Sequence, residues 1–216
     1  MKKVVIVNAS PRTTWNTATL LKEAAKGAEN SGAQVKYFDL YRLPKFTGCV
    51  SCFGCKLGEN KGKCVYKDGL SEVLEEIRSC DALIMGTPNY FGDVTAAFRA
   101  LFERLCFQYH SYKIEPHNYN ERKIPILLVM TSNVPKEMYD KTGYDKVLEN
   151  YQRILGGMIG NTKTFACGNT LQVSDYPKYD WTMFNVESKY KQHEEVFPKE
   201  KEEIYKLGEE IITKPW

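Results

Sequence analysis

Nowhere in its 216 residues does this chain hold an apolar run approaching the roughly 20 residues that a membrane-spanning helix needs, so it is not expected to cross a membrane. The apolar stretch behind Met1-Lys2-Lys3 ends at Val7, too short for the core of a secretory signal, and the cytoplasm is the expected compartment. Lysine and arginine total 30 against 27 acids, but the two signs alternate and never form the one-sided basic block that nucleic acid requires. No Ser-His-Asp or paired-carboxylate arrangement can be read from spacing, and no catalytic side chain is assigned. The G-x-x-x-x-G-K-[ST] and G-x-G-x-x-G loops are missing as well, which argues against a triphosphate P-loop and a dinucleotide fingerprint. What remains is an ordinary globular composition, 43% hydrophobic and 26% charged, in a length that suits a single domain over residues 1–216.

The pattern that is present alternates strands and helices. Val4 to Val7 reads as a buried parallel strand, followed by a polar loop and a helix from Thr17 to about Asn30. Gln34 to Leu40 gives a second strand, Leu70 to Ser79 a helix, and Ala82 to Thr87 a third strand ending at Pro88. Thr95 to Cys106 is helical, Ile124 to Thr131 a fourth strand, and Tyr144 to Leu155 a helix that breaks at Gly156-Gly157 before a fifth strand, Lys163 to Ala166. An aromatic segment without period, 167–197, precedes a last helix from Pro198 to Lys214. Five strands alternating with helices predict an α/β fold with a doubly wound parallel sheet, and in such sheets ligands bind at the strands' carboxyl ends where the winding reverses.

The loop after the first strand is rich in donors. A helix start carries unpaired N–H groups and partial positive charge, so it stabilises an anion, and Ser10, Arg12, Thr13, Thr14, Asn16 and Thr17 add further donors. The plainer alternative is that Asn16 or Thr17 merely caps the helix. Ser10-Pro11-Arg12 followed by Asn16-Thr17 resembles the S-P-R-x-x-x-N-T loop of the flavodoxin-like NADPH-dependent FMN reductase and iron-sulfur flavoprotein superfamily. That resemblance implies strand order 2-1-3-4-5 and an FMN phosphate held by Ser10, Arg12, Asn16 and Thr17. Ala9 and Trp15 stand where the family often has glycine, and Trp15 is expected to give at most a backbone contact.

After strand three, Pro88-Asn89-Tyr90-Phe91-Gly92 has a stiff exit and a glycine that permits close backbone approach. An ordinary turn with Tyr90 and Phe91 packed on the sheet would read the same way. The Pro-x-Tyr-x-Gly run is also similar to the family's flavin-ring loop, which implies that these five residues bind the isoalloxazine. Within the loop 45–67, Cys49, Cys52, Cys55 and Cys64 form C-x-x-C-x-x-C with a fourth cysteine downstream, a spacing able to hold a 4Fe-4S cluster. It resembles the cluster motif of iron-sulfur flavoproteins, and the loop is expected on the flavin side of the sheet. Zinc, a Cys52–Cys55 dithiol redox pair and inert thiols remain alternatives. Cys80, Cys106 and Cys167 read as buried small hydrophobes.

The resemblance implies an FMN-dependent oxidoreductase that takes hydride from NADH or NADPH and reduces a small-molecule or protein acceptor. A flavodoxin-like electron carrier or redox sensor is the alternative. His110 and His117 fall in a loop placed away from the flavin, His193 among exposed charges, and Tyr109, Tyr112 and Tyr119 favour a subunit contact in a homodimer or homotetramer. Tyr176, Tyr179 or Trp181 either cover the flavin or pack on the core, and Thr131 and Ser132 are placed to touch the ring's edge.

Overall fold

Val4, Val5, Ile6 and Val7 are wholly buried, as a strand covered on both faces must be. In the computed structural model, which describes residues 1–216, they lie within β1 (Lys3–Asn8). The chain continues through α1 (Asn16–Asn30), β2 (Gln34–Asp39), α2 (Ser71–Ser79), β3 (Ala82–Pro88), α3 (Ala96–Tyr109) and β4 (Ile126–Thr131). It closes with α4 (Tyr139–Thr142), α5 (Tyr144–Met158), β5 (Thr162–Cys167), α6 (Val186–Lys191) and α7 (Phe197–Thr213). All strand pairs are parallel, in the order β2-β1-β3-β4-β5 that the resemblance implies. No helix is long and apolar enough to cross a membrane.

Alternate residues of the strands feed two apolar layers. Val5, Val7, Leu83, Met85, Leu128 and Met130 pack toward α2, α3 and α5, while Val4, Ile6, Ile84, Leu127 and Val129 pack toward α1 and α7. On the second face the two helices meet at glycines. A Cβ on Gly208 would lie 2.1 Å from Ala24 O, and one on Gly27 would lie 2.0 Å from Tyr205 O, so only hydrogen fits at either place.

Strand and helix ends shift by up to three residues from the sequence reading, and two differences go further. Helix α5 runs through Gly156 and Gly157 to Met158, because nothing crowds those positions. The chain turns instead at Gly160, where a Cβ would meet Ile124 O at 2.1 Å. The aromatic segment is also not structureless. It holds a 3-10 turn at Tyr176–Lys178, then α6, whose start is capped by Asn185 Oδ1 accepting from Ser188 N at 2.9 Å, then a π-helical stretch Gln192–Val196 leading into α7.

Candidate functional site

The winding reverses between β1 and β3, and the loops leaving β1, β3, β4 and β5 converge there on a cleft of about 270 Å³. Of the residues expected from sequence, Ser10, Arg12, Trp15, Asn16, Thr17, Pro88, Asn89 and Tyr90 line it. Phe91 and Gly92 do not. They form the tip of a turn closed by Tyr90 and Asp93, with φ of 53° at Phe91 and 83° at Gly92, and the Phe91 ring is fully in solvent. The Gly92 N–H is already committed to Asn89 Oδ1 at 3.0 Å.

Helix α1 begins without a side-chain cap. Its flanking residue is Trp15, and the N–H groups of Asn16, Thr17 and Ala18 have no partner within the protein. The capping alternative is therefore not realised: Asn16 Nδ2 donates to Leu171 O at 2.8 Å, and Thr17 Oγ1 pairs with Thr131 Oγ1 at 2.7 Å. The first turn of α1 presents open donors and the positive end of its dipole to the cleft. The loop before it is folded on itself, with Ser10 N donating to Asn8 Oδ1 at 3.0 Å and Arg12 N to Ser10 Oγ at 3.2 Å.

The side chains of this loop do something the sequence did not reveal. Arg12 Nη1 donates to Gln172 O, and Trp15 Nε1 donates to Leu171 O at 2.8 Å alongside Asn16. Three side chains thus strap the loop after β5 against the start of α1. Trp15, expected to offer only its backbone, is an indole clamp with the Arg12 guanidinium 5.2 Å from its ring. The residue before Ser10 is fixed by Thr95, whose Oγ1 donates to Ala9 O at 2.8 Å and accepts from Phe98 N at 3.3 Å, capping α3.

Sequence reasoning reached Thr131 and Ser132 but missed Asn133, Thr170, Leu171 and Gln172, which complete the lining. Asn133, Thr170 and Gln172 are polar and Leu171 is not, and their position after β4 and β5 was the available signal. Tyr176 is not a cover over the cleft. Buried among Trp181, Phe184 and Tyr190, it donates through Oη to Gln172 Oε1 and accepts from Gln172 N at 3.0 Å. Tyr179 and Trp181 stack on each other at 4.3 Å and stay half-exposed, outside the cleft.

Cys49, Cys52, Cys55 and Cys64 line a second, small pocket of about 20 Å³ together with Arg104 and Phe107. Left-handed backbone at Ser51 (φ 51°) and Phe53 (φ 57°) curls the C-x-x-C-x-x-C run around it. The thiols are not drawn into a closed ligand set, since no three His, Cys, Asp or Glu side chains are near enough to share a metal ion. Burial raises the Cys55 thiol pKa, against the opposing pull of Lys56. The loop leaves β2 at the cleft's edge of the sheet, as expected, but its pocket packs on the second half of α3. Arg104 lies eight residues beyond Ala96, about 12 Å down the helix at 1.5 Å per residue. Of the other cysteines, Cys80 and Cys167 are buried as expected, whereas Cys106 is only half-buried. His110 lies beside Tyr112 at 4.3 Å and does not line the cleft.

A doubly wound parallel sheet with a donor-lined cleft at its switch point defines a flavodoxin-like α/β protein. Residues 2–137 match the family of NADPH-dependent FMN reductases, and the chain belongs to that family. An iron-sulfur flavoprotein of Methanocaldococcus jannaschii is 32% identical over 102 residues, 47% of this chain and 51% of that one. One from Archaeoglobus fulgidus is 34% identical over 104 residues, 47% of this chain and 48% of its own. The chain spans about half the length of these curated relatives. Among solved structures, an NAD(P)H:quinone oxidoreductase from Methanothermobacter marburgensis superposes with a TM-score of 0.68 at 16% identity, over 100% of this chain and 99% of that one. An azoreductase from Bacillus anthracis reaches 0.69 at 15% identity, over 97% and 100%. At such identities the likeness is one of fold.

Proposed function

We propose that this protein is an FMN-dependent oxidoreductase that accepts hydride from NADH or NADPH and passes electrons to a small-molecule or protein acceptor. The observation that carries the reading is the uncapped start of α1: three N–H groups without partners open onto the same cleft as the Pro88–Tyr90 loop. An anion completes such a helix start without any lysine. In this reading the first turn of α1, Ser10 and Thr17 hold the FMN phosphate, while Arg12, Trp15 and Asn16 keep the wall over Leu171 and Gln172 in place. Pro88, Asn89 and Tyr90 shape the ring's side of the cleft, and Phe91 and Gly92 set the turn that presents them. Bound flavin supplies the two-electron chemistry, and the residues bind and orient it and exclude water.

The cysteine pocket offers the donor set of a thiolate-bound group, four sulfurs around one small cavity, and the thiols would have to draw together to share it. The two iron-sulfur flavoproteins it resembles favour a 4Fe-4S cluster over zinc. Cys49, Cys52, Cys55 and Cys64 would hold it, and it would supply one-electron transfer. The exposed rings of Phe53 and Tyr112, 6.3 Å apart, offer an apolar contact for a homodimer or homotetramer.

The test is a binding comparison of FMN with riboflavin, which lacks the phosphate. FMN is expected to bind at least about 100-fold tighter, since several charge-assisted hydrogen bonds are at stake. Equal affinity overturns the phosphate assignment. With FMN bound, the enzyme consumes NADH or NADPH in the presence of a quinone; binding without turnover favours the electron carrier. Iron and sulfide content of anaerobically purified protein decides between cluster and zinc.

A further inference from the structure

A lysine is rarely buried without a carboxylate, because an ammonium out of water is costly unless paired. Lys189, on α6, is 2% exposed and has no such partner. Its Nζ donates to Asn133 O at 3.1 Å, to Asn133 Oδ1, to Asn169 Oδ1 at 3.2 Å and to Thr170 O at 3.3 Å, all of them neutral acceptors. The Phe184 ring lies 5.2 Å away. Burial lowers the ammonium's pKa to about 8, so it remains largely charged at neutral pH.

Two of these acceptors, Asn133 and Thr170, line the cleft from the ends of β4 and β5. Asn133 is anchored to an unusual degree. Its Oδ1 accepts from both Lys189 Nζ and Gln172 Nε2, and its main-chain oxygen also accepts from Lys189. With the oxygen held twice, the amide nitrogen is the end left to act, and it has no acceptor within the protein. The buried charge therefore orients and polarises a donor at the wall of the cleft. A lysine is not needed for orientation alone, since a neutral amide could satisfy the same carbonyls. The charge itself asks for a negative partner, and the cleft is where one can arrive.

We infer that Lys189 is a positioning residue of the cofactor cleft, acting through Asn133 to favour the reduced, anionic form of the flavin over the oxidised form. This rests on the FMN reading above. Hydride transfer breaks a C–H bond of the reduced nicotinamide and forms an N–H bond on the flavin ring, carrying two electrons with the proton. The nicotinamide leaves as a cation and the ring is left with a negative charge until a second proton is taken up. A fixed positive charge behind the wall offsets that gain and leaves the neutral oxidised ring nearly unaffected. Oxidised and reduced flavin are thus distinguished by a residue that touches neither.

The experiment uses full-length protein loaded with FMN and two variants, Lys189→Met and Lys189→Gln. The first removes charge and donors, while the second keeps an N–H donor for the surrounding carbonyls and serves if the first does not fold. Oxidised FMN affinity is measured by fluorescence, and the midpoint potential of the bound flavin by spectroelectrochemistry. The expected result is that affinity for reduced FMN falls about tenfold more than affinity for oxidised FMN, which for two electrons is a potential about 30 mV more negative. An unchanged potential overturns the inference, even if oxidised FMN binds more weakly, because that pattern belongs to a purely structural lysine. Wild-type protein that binds no FMN at all would instead overturn the functional reading on which this one stands.

Discussion

The strand-end cleft and the cysteine pocket are built on opposite plans. The cleft is polar and open, and its walls come from four loops that leave strands of one buried sheet. The cysteine pocket is small and largely apolar, and its loop is fastened to α3 by a buried ion pair together with hydrogen bonds from Cys49 N to Glu103, Lys56 Nζ to Phe107 O and Cys64 N to Gln108 Oε1. Arg104, itself 2% exposed, donates to Asp68 Oδ1 at 2.5 Å and to Tyr66 O at 2.7 Å. Asp68 in turn accepts from Thr47 N at 3.1 Å and Leu70 N at 2.9 Å. Hydrogen bonds tie the walls of the first region, and a buried charge pair stands among the ties of the second. The two should therefore fail separately, and differently.

The largest expected effect comes from breaking that charge pair. Asp68→Asn leaves the Arg104 guanidinium buried and unpaired, and breaking such a pair costs about 3 kcal/mol. Urea unfolding measures the loss, and the labelling rate of Cys55, now buried, should rise while FMN affinity stays within about twofold. The pH dependence has a definite sign. Burial pushes the Asp68 carboxyl upward, but Arg104 and the Leu70 and Thr47 N–H groups outweigh it and hold the pKa below the ordinary value. A depressed carboxyl contributes stability above its unfolded pKa and loses it as pH falls through the folded one. The wild-type advantage over Asp68→Asn should accordingly shrink below about pH 4. A constant gap across that range would show that the ion pair is not what fastens the loop.

Next in size is the reverse cut, through the cleft. Arg12→Ala with Asn16→Ala removes two of the three straps over Leu171 and Gln172. At about 1 kcal/mol per hydrogen bond, FMN binding should weaken roughly 30-fold, with Cys55 labelling unchanged. Retained affinity would mean that Trp15 alone holds the wall. A smaller effect tests the same region from behind. Gly208→Ala forces a methyl against Ala24 O, and after the helix propensity gained from alanine a net loss of about 1 kcal/mol remains. Because α1 must shift to admit it, FMN affinity should fall with stability, whereas the cysteine pocket on the other face should not respond.

The contrast also explains which parts were readable in the sequence. Val4 to Val7, Ala82 to Thr87 and Ile126 to Thr131 announce buried parallel strands because both faces are apolar, and the order of elements then fixes where a cleft must open. The loop after β1 was legible in its composition, since Ser10, Arg12 and Asn16 are crowded polar residues directly after a strand. Asn133 and Gln172 are single amides with no spacing to mark them, and they pair with each other across 39 residues of chain. Lys189 was hidden more thoroughly. It falls in the aromatic segment that shows no period, and only the tertiary arrangement reveals that Lys189 points inward while Lys191 stays exposed. The cysteine spacing was plain, yet distance from the cleft was not, because the path of a long irregular loop is set by Arg104 and Asp68, residues with no motif of their own.

The smallest expected effect probes a hydrogen-bonded path that joins the two regions. Tyr151 Oη donates to Asp93 Oδ1 at 3.0 Å, in the turn beside Tyr90, and accepts from Arg99 Nη1 at 3.2 Å. Arg99 Nε donates to Glu103 Oε1 at 3.1 Å, and Glu103 Oε2 accepts from Cys49 N at 3.3 Å. Tyr151→Phe removes one oxygen from this path and keeps the ring packed on Phe98 and Phe102. Asp93 retains the Val94 N–H at 2.7 Å and Arg99 retains Glu103, so the cost should lie near 0.5–1 kcal/mol, at the low end for a buried hydrogen bond. If the regions are held independently, FMN affinity shifts about twofold and hydrogen exchange at the Cys49 amide is unaltered, since Glu103 is still fixed by Arg99. Exchange at Cys49 that accelerates in step with the loss of FMN affinity would instead make Tyr151 the joint through which the state of the cysteine loop reaches the turn beside the cleft.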